Sequence, residues 1–175
     1  NPAAPAAYAD WPKVEWKTED NRVPFERVLP DGVSFAGAAF KEKENVAGLE
    51  LRIRNGSKEP LRNITLQTCS FLRAIKEFAD YTRDNKYVHV PEKGWMRFEE
   101  AKALPEEKGT IGLGWRTHSN KFADVPMMVT VSNQAERLVA MTWLDATLSL
   151  TQNPRHPCMH ADPQFHDLEP GEDQT

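Results

Sequence analysis

The chain has 175 residues, 39% of them apolar, and a formal net charge of −4. That length suits one domain with a tail or long loops, and the apolar share allows a core with no surplus. The acidic balance argues against nucleic-acid binding, which needs a basic stripe, no apolar run reaches the length of a membrane span, and the absence of GxGxxG, Walker A, GxSxG and HExxH patterns removes the easily recognised enzyme classes.

Residues 1–27 read as an N-terminal arm or linker. The opening Asn1-Pro2-Ala3-Ala4-Pro5 is rich in proline and alanine and resembles the start of a processed chain, so the expected location is secreted or periplasmic. Trp11 and Trp16 would be costly to leave in water, and an arm carrying them is suited to packing on a neighbour. Pro24 and Pro30 bracket a short segment, and Asp31-Gly32 is a turn signal.

Residues 28–175 are expected to form one β-sandwich domain. Val33 to Phe40 reads as a strand. Leu49 to Arg54 alternates strictly, which predicts Leu49, Leu51 and Ile53 facing a core. Asn55-Gly56-Ser57 breaks that strand, and Leu61 to Thr68 predicts the next. From Phe71 to Arg83 the period changes, because Phe71, Leu72, Ile75, Phe78 and Ala79 fall on one helical face. Tyr87 to Val90, Ile111 to Trp115, Met127 to Val131 and Arg137 to Leu150 follow as strands, the last long enough to divide near Asp145, with a short helix predicted between Gly94 and Leu104. Pro170-Gly171 is a turn of the kind that leads into one more strand, and the sequence stops at Thr175 just where that strand should begin, so the sheet is expected to be left with an open edge or closed by something else. The expected class is mainly β: a two-layer antiparallel sandwich of immunoglobulin or jelly-roll type with one or two short helical insertions.

Arg155-His156-Pro157-Cys158-Met159-His160-Ala161-Asp162-Pro163 holds the densest chemistry. In an extended chain, residues two apart share a face, so His156, Cys158, His160 and Asp162 would form one row. His156, His160 and Asp162 then become candidate ligands for a divalent metal, Zn²⁺ or Ca²⁺, or His160 a base oriented by Asp162. Three nearby prolines favour an edge or a loop, where the histidines would only satisfy local backbone groups. Cys69 and Cys158 could also close one disulfide, which would withdraw Cys158 from any metal. Asn85-Lys86 carries donors and acceptors on what is either a ligand loop or a solvated turn. Among the tryptophans, Trp143 reads as core, and Trp115 as a surface indole on which a sugar could stack. Asn55-Gly-Ser57 and Asn63-Ile-Thr65 match the N-glycosylation pattern, which is common by chance.

Leu29-Pro30-Asp31-Gly32-Val33-Ser34-Phe35, Leu49 to Asn55, Pro60-Leu61, Cys69, Asn85-Lys86, Pro157 to Phe165 and Glu169-Pro170-Gly171, taken in order, resemble a group of exported β-sandwich proteins from glycan-degrading environmental bacteria. The resemblance covers roughly residues 28–175. It implies a sandwich, export and a glycan-rich setting, and brings no catalytic residues with it.

Three readings follow. In the first, the domain binds a glycan, small saccharide or uronate through Asn85, Lys86, Arg155, His156 and His160, with Trp115 as platform and the cations matching a sugar carboxylate. In the second, it is a lyase or hydrolase in which His160 is the base, and Lys86 or a metal stabilises developing charge. In the third, it is a subunit of an extracellular assembly, oligomerising through its arm and an open sheet edge.

Overall fold

The computed structural model describes residues 14, 17–80, 84–115, 120–153, 155 and 157–175. The arm with Trp11 and Trp16, on which the oligomer reading rests, lies outside the described residues, as does His156. The chain is mainly β, with its strands in three sheets, and divides into two compact units. Among the described residues no helix is long and apolar enough to cross a membrane.

The first unit joins the chain up to Ile64 with His166–Thr175. Its sheet is an antiparallel meander of β1 (Arg22–Val28), β2 (Ser34–Lys43) and β3 (Val46–Arg54), closed by β13 (Asp173–Gln174) on β3. The β1–β2 turn forms where Asp31-Gly32 predicts it. Leu29 N–H donates to Val33 O at 2.8 Å, and Gly32 takes a positive φ of 91° that suits glycine. Inward facing along β3 is graded: Ile53 is buried, Leu51 half-buried and Leu49 exposed. Asn55 is fully buried, and its Nδ2 donates to Glu59 O at 2.9 Å and Leu168 O at 3.0 Å. An amide so engaged is no glycan acceptor. The final strand, expected to be missing after the Pro170-Gly171 turn, is present as the two-residue β13, which covers the edge of β3 at Ile53 and Arg54.

The second unit spans Thr65–Phe165. One sheet has the order β10 (Leu138–Thr142), β9 (Met127–Val131), β5 (Lys86–Val90), β6 (Gly94–Arg97). The other runs β4 (Ser70–Phe71), β12 (Cys158–Pro163), β11 (Thr147–Gln152), β7 (Ile111–Leu113), β8 (Lys121–Ala123). The β11–β7 pair is parallel, so antiparallel pairing is not universal. The core draws Val88, Met128 and Met141 from the first sheet, Leu113, Leu150, Met159 and Ala161 from the second, and Phe98 and Ala101 from the short helix α1 (Phe98–Lys102).

Three sequence expectations need correction. Leu61 to Thr68 is not a continuous strand: it makes isolated bridges at Leu61 and Thr65, separated by Asn63 at φ 52°, a left-handed conformation that breaks a ladder. The helix expected from Phe71 to Arg83 is two 3₁₀ turns, Leu72–Ala74 and Lys76–Phe78, with Ile75 extended between them. Only Leu72 and Phe78 there are buried, and Glu77 O, which a continuing helix would use, accepts the Asn133 N–H at 2.8 Å. The span from Gly94 begins as β6 and turns helical only at Phe98. The division near Asp145 is present, as a 3₁₀ turn (Leu144–Ala146) between β10 and β11.

Phe98 is 1% exposed at the centre of this core, whereas Leu138 is 64% exposed. Urea denaturation should show Phe98→Ala destabilised by about 3–5 kcal/mol and Leu138→Ala changed by less than about 0.5 kcal/mol.

Candidate metal centre

β12 is buried along its whole length and lies between β4 and β11. It is neither an edge nor a loop, as its prolines suggested. Pro157 precedes the strand and Pro163 ends it, so the interior keeps every N–H that its two neighbours need. Alternation then sorts the side chains. Met159 and Ala161 enter the apolar core, while Cys158, His160 and Asp162 share the opposite face.

The neighbouring strands complete that face. Cys158 pairs with Phe71 and Met159 with Ser70, so one more step sets Cys69 opposite His160. On the other side Thr151 pairs with His160 and Ser149 with Asp162. Cys69 Sγ, Cys158 Sγ and a ring nitrogen of His160 all lie within 4.8 Å of one another. Both cysteines are free thiols.

Thr68 holds the imidazole. Its carbonyl lies 2.7 Å from His160 Nδ1, and a carbonyl only accepts, so Nδ1 carries the proton. Nε2 is then the lone-pair nitrogen, 3.0 Å from Cys158 Sγ. Gln67 Nε2 lies 3.3 Å from Nδ1; with Nδ1 donating to Thr68, the amide would need to be turned about so that its oxygen faces that proton. Thr68 N–H donates to Asp162 Oδ1 at 3.2 Å, its hydroxyl donates to Ala161 O, and Trp143 Nε1 donates to that hydroxyl at 3.0 Å. Ser149 Oγ donates to Asp162 Oδ2 at 3.3 Å. Trp115, still 45% exposed, sets its indole edge-on to the His160 ring at 4.8 Å between centroids. Thr151 Oγ1 is buried without a hydrogen-bond partner among the described residues.

Burial dominates the electrostatics. It pushes the Cys158 thiol up to about 12, with the neighbouring Cys69 thiol adding to the rise. Desolvation also raises Cys69, although that residue is exposed. Lys86 is lowered by its own burial, against a smaller opposing effect of Cys158. Without metal, both thiols are therefore protonated at neutral pH.

The residues singled out from sequence end in different places. His160 and Cys158 belong to the cluster, and Trp115 borders it. Asp162 is fully buried beside it, with its carboxylate accepting from Thr68 and Ser149. Lys86 is 3% exposed and its Nζ donates to Asn85 Oδ1 at 3.4 Å, while Asn85 Nδ2 donates to Val131 O at 2.7 Å. Asn85 and Lys86 thus turn inward instead of presenting a polar loop. Arg155 is exposed in a turn whose N–H donates to Asn153 Oδ1 at 2.8 Å. Cys69 enters as a ligand candidate, where sequence offered it only as a disulfide partner. Gln67 and Thr68 were missed; their signal is the polar run Gln67-Thr68-Cys69-Ser70 between Leu66 and Phe71. A separate imidazole–carboxylate pair, His89 Nδ1 with Asp124 Oδ1 at 2.7 Å, was also missed.

Comparison with protein-family models, with curated proteins and with solved structures yields no match.

The Cys158 shift has a definite sign. The unfolded chain releases this proton near pH 9, whereas the metal-free folded protein holds it to about pH 12. This contribution to stability is complete below pH 9 and is lost as pH rises towards 12. Denaturation series at pH 8, 9 and 10 should show the reduced parent losing stability with pH more steeply than Cys158→Ala, and parallel curves would show that the thiol is not shifted.

Proposed function

We propose that the second unit is a metal-binding module that takes Zn²⁺ through Cys69 Sγ, Cys158 Sγ and His160 Nε2. The observation that carries this reading is the convergence of two sulfurs and a ring nitrogen of His160 within 4.8 Å, with Nε2 3.0 Å from Cys158 Sγ. Two thiolates and an imidazole suit Zn²⁺, whereas Ca²⁺ takes six to eight oxygens, so of the two ions considered the donor set favours zinc. Tetrahedral zinc holds sulfur and nitrogen ligands about 3.6 Å apart, so the 3.0 Å Cys158–His160 contact needs to open by only about half an ångström. The Thr68 carbonyl supplies the outer hydrogen bond that zinc-bound imidazoles use to fix tautomer and ring orientation. The partnerless hydroxyl of Thr151, opposite His160, gives the same face unmet polar capacity. His156 remains a further donor on its sequence spacing alone. We read the two sheets of this unit, which both feed one core, as the layers of a sandwich carrying the site on its outer side.

A saccharide reading is favoured by one observation, the exposed indole of Trp115 beside His160. The lyase reading is weakened, because His160 and Lys86 are 1% and 3% exposed and neither reaches a polymer.

Titrating reduced protein with Co²⁺ should give one equivalent of tetrahedral d–d bands with sulfur-to-cobalt charge transfer, and Zn²⁺ should bleach both. Cys158→Ser and His160→Ala should each weaken affinity by more than about 100-fold, since loss of a direct ligand exceeds loss of an outer partner. A spectrum of hexaaquo cobalt throughout would overturn the metal reading. For the saccharide alternative, calorimetry against neutral and uronate oligosaccharides should show heat that Trp115→Ala abolishes; no heat with either class removes it.

A further inference from the structure

We infer that Cys69 and Cys158 form a reversible oxidation pair, and that their disulfide and a bound metal ion exclude one another. The exclusion rests on the metal reading above; the pair itself does not.

The two sulfurs are already within 4.8 Å. Their settings differ in the way a two-step oxidation needs. Cys69 is exposed and meets an oxidant from solvent, while Cys158 is fully buried and meets only its neighbours. With hydrogen peroxide as oxidant, the Cys69 thiol gives sulfenic acid and one water. The Cys158 sulfur then attacks the Cys69 sulfur, the sulfur–oxygen bond breaks, and the hydroxyl leaves with the Cys158 proton as a second water. Two thiols and one peroxide thus become one disulfide and two waters. His160 Nε2, the lone-pair nitrogen 3.0 Å from Cys158 Sγ, is placed to take that proton from the attacking thiol and pass it on.

The strand register argues that the bridge is labile. Continued one residue past Ser70, that register would set Cys69 opposite His160 and so diagonal to Cys158. Diagonal Cα separations run to about 7–8 Å, beyond the roughly 4.4–6.8 Å of relaxed disulfides. Cys69 lies one residue outside the β4 ladder, so its backbone is the part able to shift. A bridge closed this way is more easily reduced than one set in ideal geometry. Once closed, it takes both sulfurs from the metal and leaves His160 as the only one of the three donors still able to bind. A bound ion, in turn, holds both thiolates and shields them from peroxide.

The test uses the full chain, first reduced and freed of metal, then treated with stoichiometric hydrogen peroxide. Mass spectrometry should show loss of two hydrogens, and peptide mapping a Cys69–Cys158 link. Zinc affinity, measured by chelator competition, should fall by more than about 100-fold and return on reduction with dithiothreitol, and preloaded Zn²⁺ should slow bridge formation. His160→Gln should still form the bridge while binding zinc poorly, and Cys69→Ser should form none. Oxidation that stops at a Cys69 sulfinic acid, or leaves both thiols open to alkylation, would overturn the pair. A mapped bridge with undiminished zinc affinity would overturn the exclusion and leave the metal reading standing. Bridge formation in a chain that binds no zinc when reduced would overturn the metal reading, and the exclusion with it, while the pair stands.

Discussion

The candidate site depends on the hydrogen bond from His160 Nδ1 to the Thr68 carbonyl. It decides which ring nitrogen carries the proton, and therefore which one faces the sulfurs. One residue does this with its backbone while its other groups hold the surroundings: its N–H is bonded to Asp162, and its hydroxyl links Trp143 to Ala161. A side-chain partner could swing away from the imidazole. The Thr68 backbone, held to β12 through its N–H and hydroxyl, keeps the lone pair aimed.

The second constraint is that β12 is buried on two faces of opposite character. Met159 and Ala161 contribute to the core on one side, where any polar atom would be costly. On the other side, Cys158, His160 and Asp162 are equally buried and have to be satisfied by partners. Such a network rigidifies when complete and is expensive when partly met. Here Asp162 is met by Thr68 and Ser149, His160 by Thr68 and Cys158 by His160, whereas the Thr151 hydroxyl has no partner among the described residues. The convergence of two sulfurs and an imidazole on this buried face, and not the mere presence of histidine and cysteine in the sequence, makes it the candidate metal centre.

Much of this was legible beforehand. Alternation in Cys158 to Asp162, the strand at Leu49 to Arg54, the turn at Asp31-Gly32 and the division at Asp145 are local signals, and local geometry fixed them, although the core that the Leu49 to Arg54 alternation promised reaches only Ile53 and part of Leu51. What escaped was settled by distant partners. The 71–78 segment has helical periodicity, yet Glu77 O bonds Asn133 across a gap in sequence. Prolines around β12 implied an edge, yet they fall at its limits. Lys86 and Asn85 looked like a solvated loop because the strand they pack on, β9, begins only at Met127. Cys69 was seen only as a disulfide partner, since the strand opposite it, which also carries His160, is some ninety residues away in sequence.

The first unit is discontinuous: its meander lies before Thr65, while β13 and Leu168, which bonds the Asn55 amide, come after Phe165. The second unit is therefore a single uninterrupted insertion within it. On the ribosome, the inserted unit is translated before the residues that finish its host, so the host sheet waits with β3 unpaired by β13 and the Asn55 amide without its Leu168 acceptor, held only by Glu59 and Ser57. The strand that carries the candidate site, β12, is among the last parts of the insert to be made, so the insert and the end of its host are completed within a few residues of one another.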